Sequence, residues 1–272
     1  MAISPYPRPD FVRTDLTWTS LNGPWSFLFD DTDAGLTAGW HKTGLPSTSA
    51  ASPAPQDDSI SGLHPDDSTT SQHHHARRTI QVPFVFQSQA SGIHCTSAHN
   101  VFWYERQIRD PRTAAQRRTG HRALLRFGAV DYHATVWVDG RLAGAHRGGH
   151  VPFELDVSEH MDAGGDDDTA NDDDGTANDD DDNAPARQDR ERRHRVTLRV
   201  FDSATDLTQP RGKQFWGPLP DTGIFYTPSS GVWQSVWAES VPGARIADAS
   251  GGTVLRADDL SLIHISEPTR PY

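Results

Sequence analysis

LLRFGAVDYHATVWVDGRLAGAHRGGHVPFELDV, residues 124–157, carries the pattern that decides the fold. From residue 132 to 138 the side chains alternate, with Ala134, Val136 and Val138 on one face and Thr135 and Trp137 on the other. That two-residue period is the mark of a half-buried strand. Asp139-Gly140 supplies the two positive-φ positions of a tight hairpin turn, and residues 142–146 return as the partner strand. His146, Gly148, Gly149 and His150 look at first like a metal cluster; the glycines read better as tight backbone positions turning into the next strand.

Working outward, residues 5–10 are proline-rich and extended, and residues 21–31 place Trp25, Phe27 and Phe29 on one side of a strand. Further strands are predicted at 80–85, 101–109, 122–128, 153–157, 196–201 and 231–239. Short strands at this spacing, with no long helical period, predict an all-β antiparallel sandwich.

Four more blocks accompany the hairpin: LNGPWSF at 21–27, IQVPFVFQ at 80–87, WYERQI at 103–108 and SGVWQSVW at 230–237. In this order they resemble the N-terminal sugar-binding domain of glycoside hydrolase family 2, the family of β-galactosidases, β-glucuronidases and β-mannosidases. The resemblance covers most of residues 10–242 and implies a jelly-roll sandwich, similar to galactose-binding domains, over residues 1–242. Fold alone does not give function.

The net charge of −12 is localised, because eleven aspartates and no basic residue lie within 162–182. The remainder is nearly neutral, which removes any case for steering by a whole-protein field, and no basic patch argues for nucleic acid. No apolar run approaches a membrane span, and the start, MAISPYPRPDFVR, lacks the apolar core of a secretory signal. The single cysteine, Cys95, cannot form an intramolecular disulfide and reads as a small apolar filler. A cytoplasmic setting is expected.

Three polar stretches, 46–78, 111–120 and 161–195, read as disordered insertions between strands. The aspartate run lacks the alternating ligand and glycine pattern of a calcium loop, and His73 to His75 form a solvated tract with at most weak metal affinity. Residues 243–259 are expected to begin a linker to a further domain. LSLIHISEPTR, at 260–270, resembles the translation of a sequencing adapter, so 260–272 are set aside; the alternative is a native tail with a short apolar strand.

Hydrolysis of a glycosidic bond normally needs two carboxylates flanking it. The resemblance places that pair on a C-terminal barrel, for which there is no room after Pro242, so no catalytic residue is assigned here. Glu105 and Glu239 read as solvent-facing strand positions or arginine partners, Glu154 as a structural hydrogen-bonding group, and Glu191 as part of a charged flank.

The connection DSATDLTQPRGKQFW, 202–216, is the best candidate for ligand contact, being long, mixed in charge and aromatic. Asp206, Arg211, Lys213, Gln214 and Trp216 are the candidate ligand-binding residues. The resemblance implies that this region helps to complete a sugar pocket, and that in β-galactosidases a carboxylate here serves a monovalent cation and sugar hydroxyls. Because Arg211-Gly212-Lys213-Gln214 stands here, that role is assigned to neither Asp202 nor Asp206. Arg211 or Lys213 suits a barrel carboxylate and Gln214 a sugar hydroxyl; simple solvation or interdomain contact is the alternative. Trp216, Phe225 and Tyr226 suit a stacking platform, while Trp103, Trp137, Trp233 and Trp237 read as core or interdomain packing.

The resemblance therefore implies a non-catalytic carbohydrate-binding or scaffold domain of a retaining exo-β-glycosidase. Its substrate is a β-linked glycoside, and its neighbours are a further sandwich and a barrel. No metal and no cofactor is expected within these residues, and the resemblance leaves room for a monovalent or divalent cation in the full enzyme. The alternatives are a free-standing carbohydrate-binding module and a domain that only braces a barrel or a subunit interface.

Overall fold

Asp139 and Gly140 sit at φ 48° and 76°, the two left-handed positions of a hairpin turn. Their flanking strands pair from His133↔Arg147 to Val138↔Arg141, with a register irregularity between Val136 and Trp137. The computed structural model describes residues 17–47, 76–163, 192–210, 212–215 and 224–245, and the backbone of 254–257 and 263–266.

In chain order, β1 (Trp18–Ser20) and β2 (Gly23–Phe29) precede two short helices, α1 (Gly35–Ala38) and α2 (Trp40–Thr43). Then come β3 (Arg78–Val82), β4 (Val101–Arg109), α3 (Ala114–Arg118), β5 (Arg122–Phe127), β6 (Val130–Asp131), β7 (His133–Val138), β8 (Arg141–Arg147) and β9 (Phe153–Asp156). After α4 (Ser158–Ala163) follow β10 (Arg193–Phe201), β11 (Gly231–Val232) and β12 (Val236–Val241). A six-stranded sheet, ordered β3-β2-β4-β10-β7-β8, lies against a four-stranded sheet, β1-β12-β5-β9, and every ladder within them is antiparallel. The expected antiparallel sandwich is what forms.

The core between the sheets is aromatic at its centre. Phe27 meets Tyr104, Phe102 and Phe86 at ring-centroid distances of 5.1, 5.9 and 6.1 Å. The alternation read at 132–138 is realised, since Ala134, Val136 and Val138 all enter this core. Trp137 points the other way, into a smaller cluster with Leu28, Trp103 and Trp40 on the outer face of the six-stranded sheet. There α1 and α2 act as a lid. Asp30 holds the lid in place, accepting from the backbone N–H groups of Ala34 and Gly35 and from Trp103 Nε1 at 2.9 Å.

The structure corrects the insertion boundaries. Residues 111–120 are not a disordered tip: α3 forms there, with Thr113 Oγ1 accepting from Gln116 N–H and Gln116 Oε1 accepting from Thr113 N–H. This reciprocal capping closes the first turn of a helix whose arginines make the segment look solvated. Arg112 is buried, donating to Asp110 at 2.9 Å and Asp162 at 2.8 Å. At the edges of the other insertions, Arg77 donates to Glu105 and to Leu45 O, Met161 enters the core, and Arg193–Arg195 already belong to β10. Ion pairs anchor these edges where the apolar pattern is silent. Residues 48–75 and 164–191, including His73 to His75 and Glu191, lie outside the described residues. The expected linker and tail also contain paired backbone: β13 (Val254–Ala257) and β14 (Ile263–Ser266) form an antiparallel ladder across the boundary expected at 259–260.

Candidate ligand-contact site at one end of the sandwich

β10 ends at Phe201 and delivers Asp202 to the rim of the sandwich, where Asp202 N–H donates to Asn100 O at 2.9 Å. Its carboxylate is buried and engaged on both sides, by Gln209 Nε2 on Oδ1 and by Ser230 Oγ at 2.6 Å on Oδ2. Gln87 closes the network, accepting from Ser230 N–H and donating to Ser230 Oγ, each at 3.2 Å. The network thus joins the connection after β10 to Ser230 and, through it, to Gln87, which the sequence keeps far apart.

Asp131, at the end of β6, lies beside it. Burial, with the neighbouring charge of Asp202 adding to it, pushes the Asp131 carboxyl up to about 7, against a smaller lowering by a hydrogen bond from Gln214. Burial likewise raises Asp202, against its bonds from Ser230 and Gln209. The approach of Asp131 explains Gly149, because a Cβ there would collide with Asp131 Oδ1. Gly148, at φ 134°, donates to Tyr132 O at 3.0 Å, and Gly149 O accepts from Trp233 Nε1 at 2.7 Å. The glycines are tight turning positions, as read; His146 stacks on Phe153, with centroids 4.3 Å apart, and His150 meets Trp233 edge-on.

Of the residues predicted for ligand contact, three are described. Asp206 turns its carboxylate back on its own loop, accepting from Thr208 N–H at 2.8 Å and Oγ1 at 2.7 Å, which holds it below the usual carboxylate range. Gln214 is a positioning group: its Oε1 accepts from Ser229 N–H at 2.5 Å, and its side chain lies near enough to Asp131 to favour that carboxylate. That occupies the side chain expected to meet a sugar hydroxyl. Lys213 is exposed. Arg211 and Trp216 lie outside the described residues. The limb 212–215 is stitched to 224–226 by Phe215 N–H to Tyr226 O at 3.1 Å and Tyr226 N–H to Lys213 O at 2.9 Å. Beside that stitch Ile224, Phe225 and Tyr226 are exposed, with Phe215 and Phe225 in contact at 5.4 Å.

Both oxygens of Asp202 and Oδ1 of Asp206 accept hydrogen bonds from protein donors. Among the described residues no group of three or more His, Cys, Asp or Glu is placed to hold a metal ion. The strand glutamates are arginine partners rather than solvent-facing groups. Arg126 pairs with Glu154 at 2.8 Å and with the fully buried Glu239 at 2.6 Å, while Glu105 receives Arg77 and the Leu45 N–H, each at 2.8 Å.

The family described as glycosyl hydrolases family 2, sugar binding domain, matches residues 18–170. The chain belongs to this family. The match takes in Asp131 and Gly149 and stops before Asp202. The β-glucuronidase of Canis lupus familiaris is 30% identical over 164 residues, 58% of this chain and 20% of that protein. The β-glucuronidase of Mus musculus is 44% identical over 62 residues, 23% of this chain and 9% of its own. The chain therefore spans about a fifth of the length of the first of these relatives. The β-glucuronidase from Ruminococcus gnavus in complex with D-glucaro 1,5-lactone superposes with a TM-score of 0.50 at 19% identity, covering 88% of this chain and 31% of that one. At that identity the likeness speaks for the fold. Among the described residues no helix is long and apolar enough to cross a membrane.

Proposed function

We propose that this chain is the carbohydrate-binding and scaffold sandwich of a retaining exo-β-glycosidase acting on β-glucuronides, with the hydrolytic carboxylates supplied from outside it. One observation carries the reading: the family match falls on a sugar-binding domain in a chain that spans a fifth of its β-glucuronidase relative. The internal engagement of Glu105, Glu154, Glu239 and Asp202 supports the second half, because a nucleophile or acid must face its substrate.

The exposed limb of Lys213, Phe215, Phe225 and Tyr226 is the surface offered to a neighbouring barrel and its substrate, with Arg211 and Trp216 on the same connection. In this role Gln214 and Asp131 set the limb's position, and Lys213 supplies a cation to a carboxylate, of the barrel or of the sugar. A cytoplasmic setting belongs to the same proposal, supported by the lone cysteine.

The test is release of nitrophenol from β-glucuronide, β-galactoside and β-mannoside substrates by the purified chain. No turnover is expected, and turnover of any of the three would overturn the proposal. A free-standing binding module is separated by fluorescence: saturable quenching of tryptophan by glucuronate in the isolated chain would favour that reading instead.

A further inference from the structure

Cys95 follows a turn of 3₁₀ helix at Gln89–Ser91, and its backbone N–H donates to Phe86 O at 3.0 Å. Its sequence context reads as that of a filler, and it does line the core, but its sulfur has company. Sγ stands 3.4 Å from His99 Nε2, and His99 Nδ1 stands 2.8 Å from Asp31 Oδ1. The imidazole is held flat on the Phe29 ring, with centroids 3.7 Å apart at 20°.

These contacts define roles. The Asp31 carboxylate can only accept, so Nδ1 carries a proton and Nε2 of the neutral ring presents its lone pair to the thiol. A nucleophile, a base and a group that orients the base form the recurring arrangement of activated side chains. We propose that Cys95 is a nucleophilic modification site, in which His99, oriented by Asp31, takes the thiol proton and leaves a thiolate open to small, soft electrophiles. In the step itself the sulfur lone pair forms a bond to the electrophilic carbon. The bond from that carbon to its leaving group breaks, and the leaving group departs with the electron pair. The proton stays on His99.

The electrostatics agree with this geometry. Burial pushes the Cys95 thiol up, but the hydrogen bonds from His99 and Ser97 and the charge of His99 outweigh it and hold the thiol below its ordinary value. Burial lowers His99, and its bonds and charges with Asp31 and Cys95 overcome this and raise it to about 9. Among the described residues, His99 from the same loop faces Cys95 and Asp31 from the turn after β2 faces His99, and Phe29 and Phe86 supply apolar walls. Cys95 is 9% exposed, which suits a small reagent.

Because Cys95 is the only cysteine in the chain, every adduct reports on it. The experiment follows thiolate ultraviolet absorbance and the rate of alkylation by iodoacetamide on the full chain as pH is varied. Intact mass counts the adduct. The thiolate midpoint is expected below the ordinary value of about 8.5. His99→Asn should move the midpoint to or above that value and slow alkylation near neutrality roughly fivefold, a factor moderated by the lower intrinsic nucleophilicity of an acidic thiol. Asp31→Asn, on an exposed turn, should move it part of the way. A wild-type midpoint at or above about 8.5 would overturn the proposal, as would alkylation of only the denatured chain. If His99→Asn fails to fold, Asp31→Asn decides: a raised midpoint supports the proposal and an unchanged one defeats it.

Discussion

Asp131 shows what one buried carboxyl costs. Its folded value of about 7 lies well above the ordinary 3.8, so between those two values the folded chain holds a proton that the unfolded chain releases. The associated stability is complete below about 3.8, falls as pH rises to about 7, and is level beyond. Asp202 is raised in the same direction and sharpens the loss. Asp131→Asn keeps an acceptor for Gln214 and removes the charge. It should be more stable than the parent above pH 7 by roughly 2–4 kcal/mol, since each tenfold change in proton affinity is worth about 1.4 kcal/mol. Urea midpoints should show the gap widening from about pH 4 to about pH 7 and then holding, and a gap independent of pH would contradict the assignment. The two aspartates are not legible as a pair, because they are distant in sequence and meet only through the pairing of β7 with β10, where His133 opposes Phe201. Gly149 is legible as a tight position, but not the carboxylate that makes it one.

At the scale of elements, the hairpin can be read because two local signals agree: an alternating strand and an Asp-Gly turn. α1 and α2 give no such signal, each being four residues long and therefore shorter than any helical period can reveal. α3 is the instructive failure. Thr113-Ala-Ala-Gln116 spells a capping box, yet the surrounding arginines make the stretch look like a solvated tip. Thr113→Ala removes the acceptor for Gln116 N–H and should cost about 1 kcal/mol. The urea midpoint should fall with an unchanged slope; a midpoint equal to the parent's would mean that the cap adds nothing to the fold.

For the whole molecule, the two-sheet plan follows from strand spacing, while its second, outer core does not, since Trp103 and Trp137 alternate into it from strands whose other faces build the first. The rim around Ile224, Phe225 and Tyr226 stays uncovered by the described residues, with Tyr226 64% exposed. Such a patch on an isolated chain should bind a hydrophobic dye, and the double change Ile224→Ser, Phe225→Ser should remove roughly half of the signal. Far-ultraviolet circular dichroism should be unaltered, and full dye binding by the double variant would place the exposed apolar surface elsewhere.

The corner where α4 leaves and β10 enters has a practical meaning of its own. Met161 and Asp162 on one side and Arg192 and His194 on the other line a single cavity of about 130 Å³, so the chain departs from and returns to one rim. Closing a loop across such a gap grows dearer by only about 0.6 kcal/mol for each doubling of its length. Between Ala163 and Arg192 the sandwich is thus a ready graft point, where a guest peptide or reporter can be exchanged for the resident residues while Arg112, Met161 and His194 keep their places.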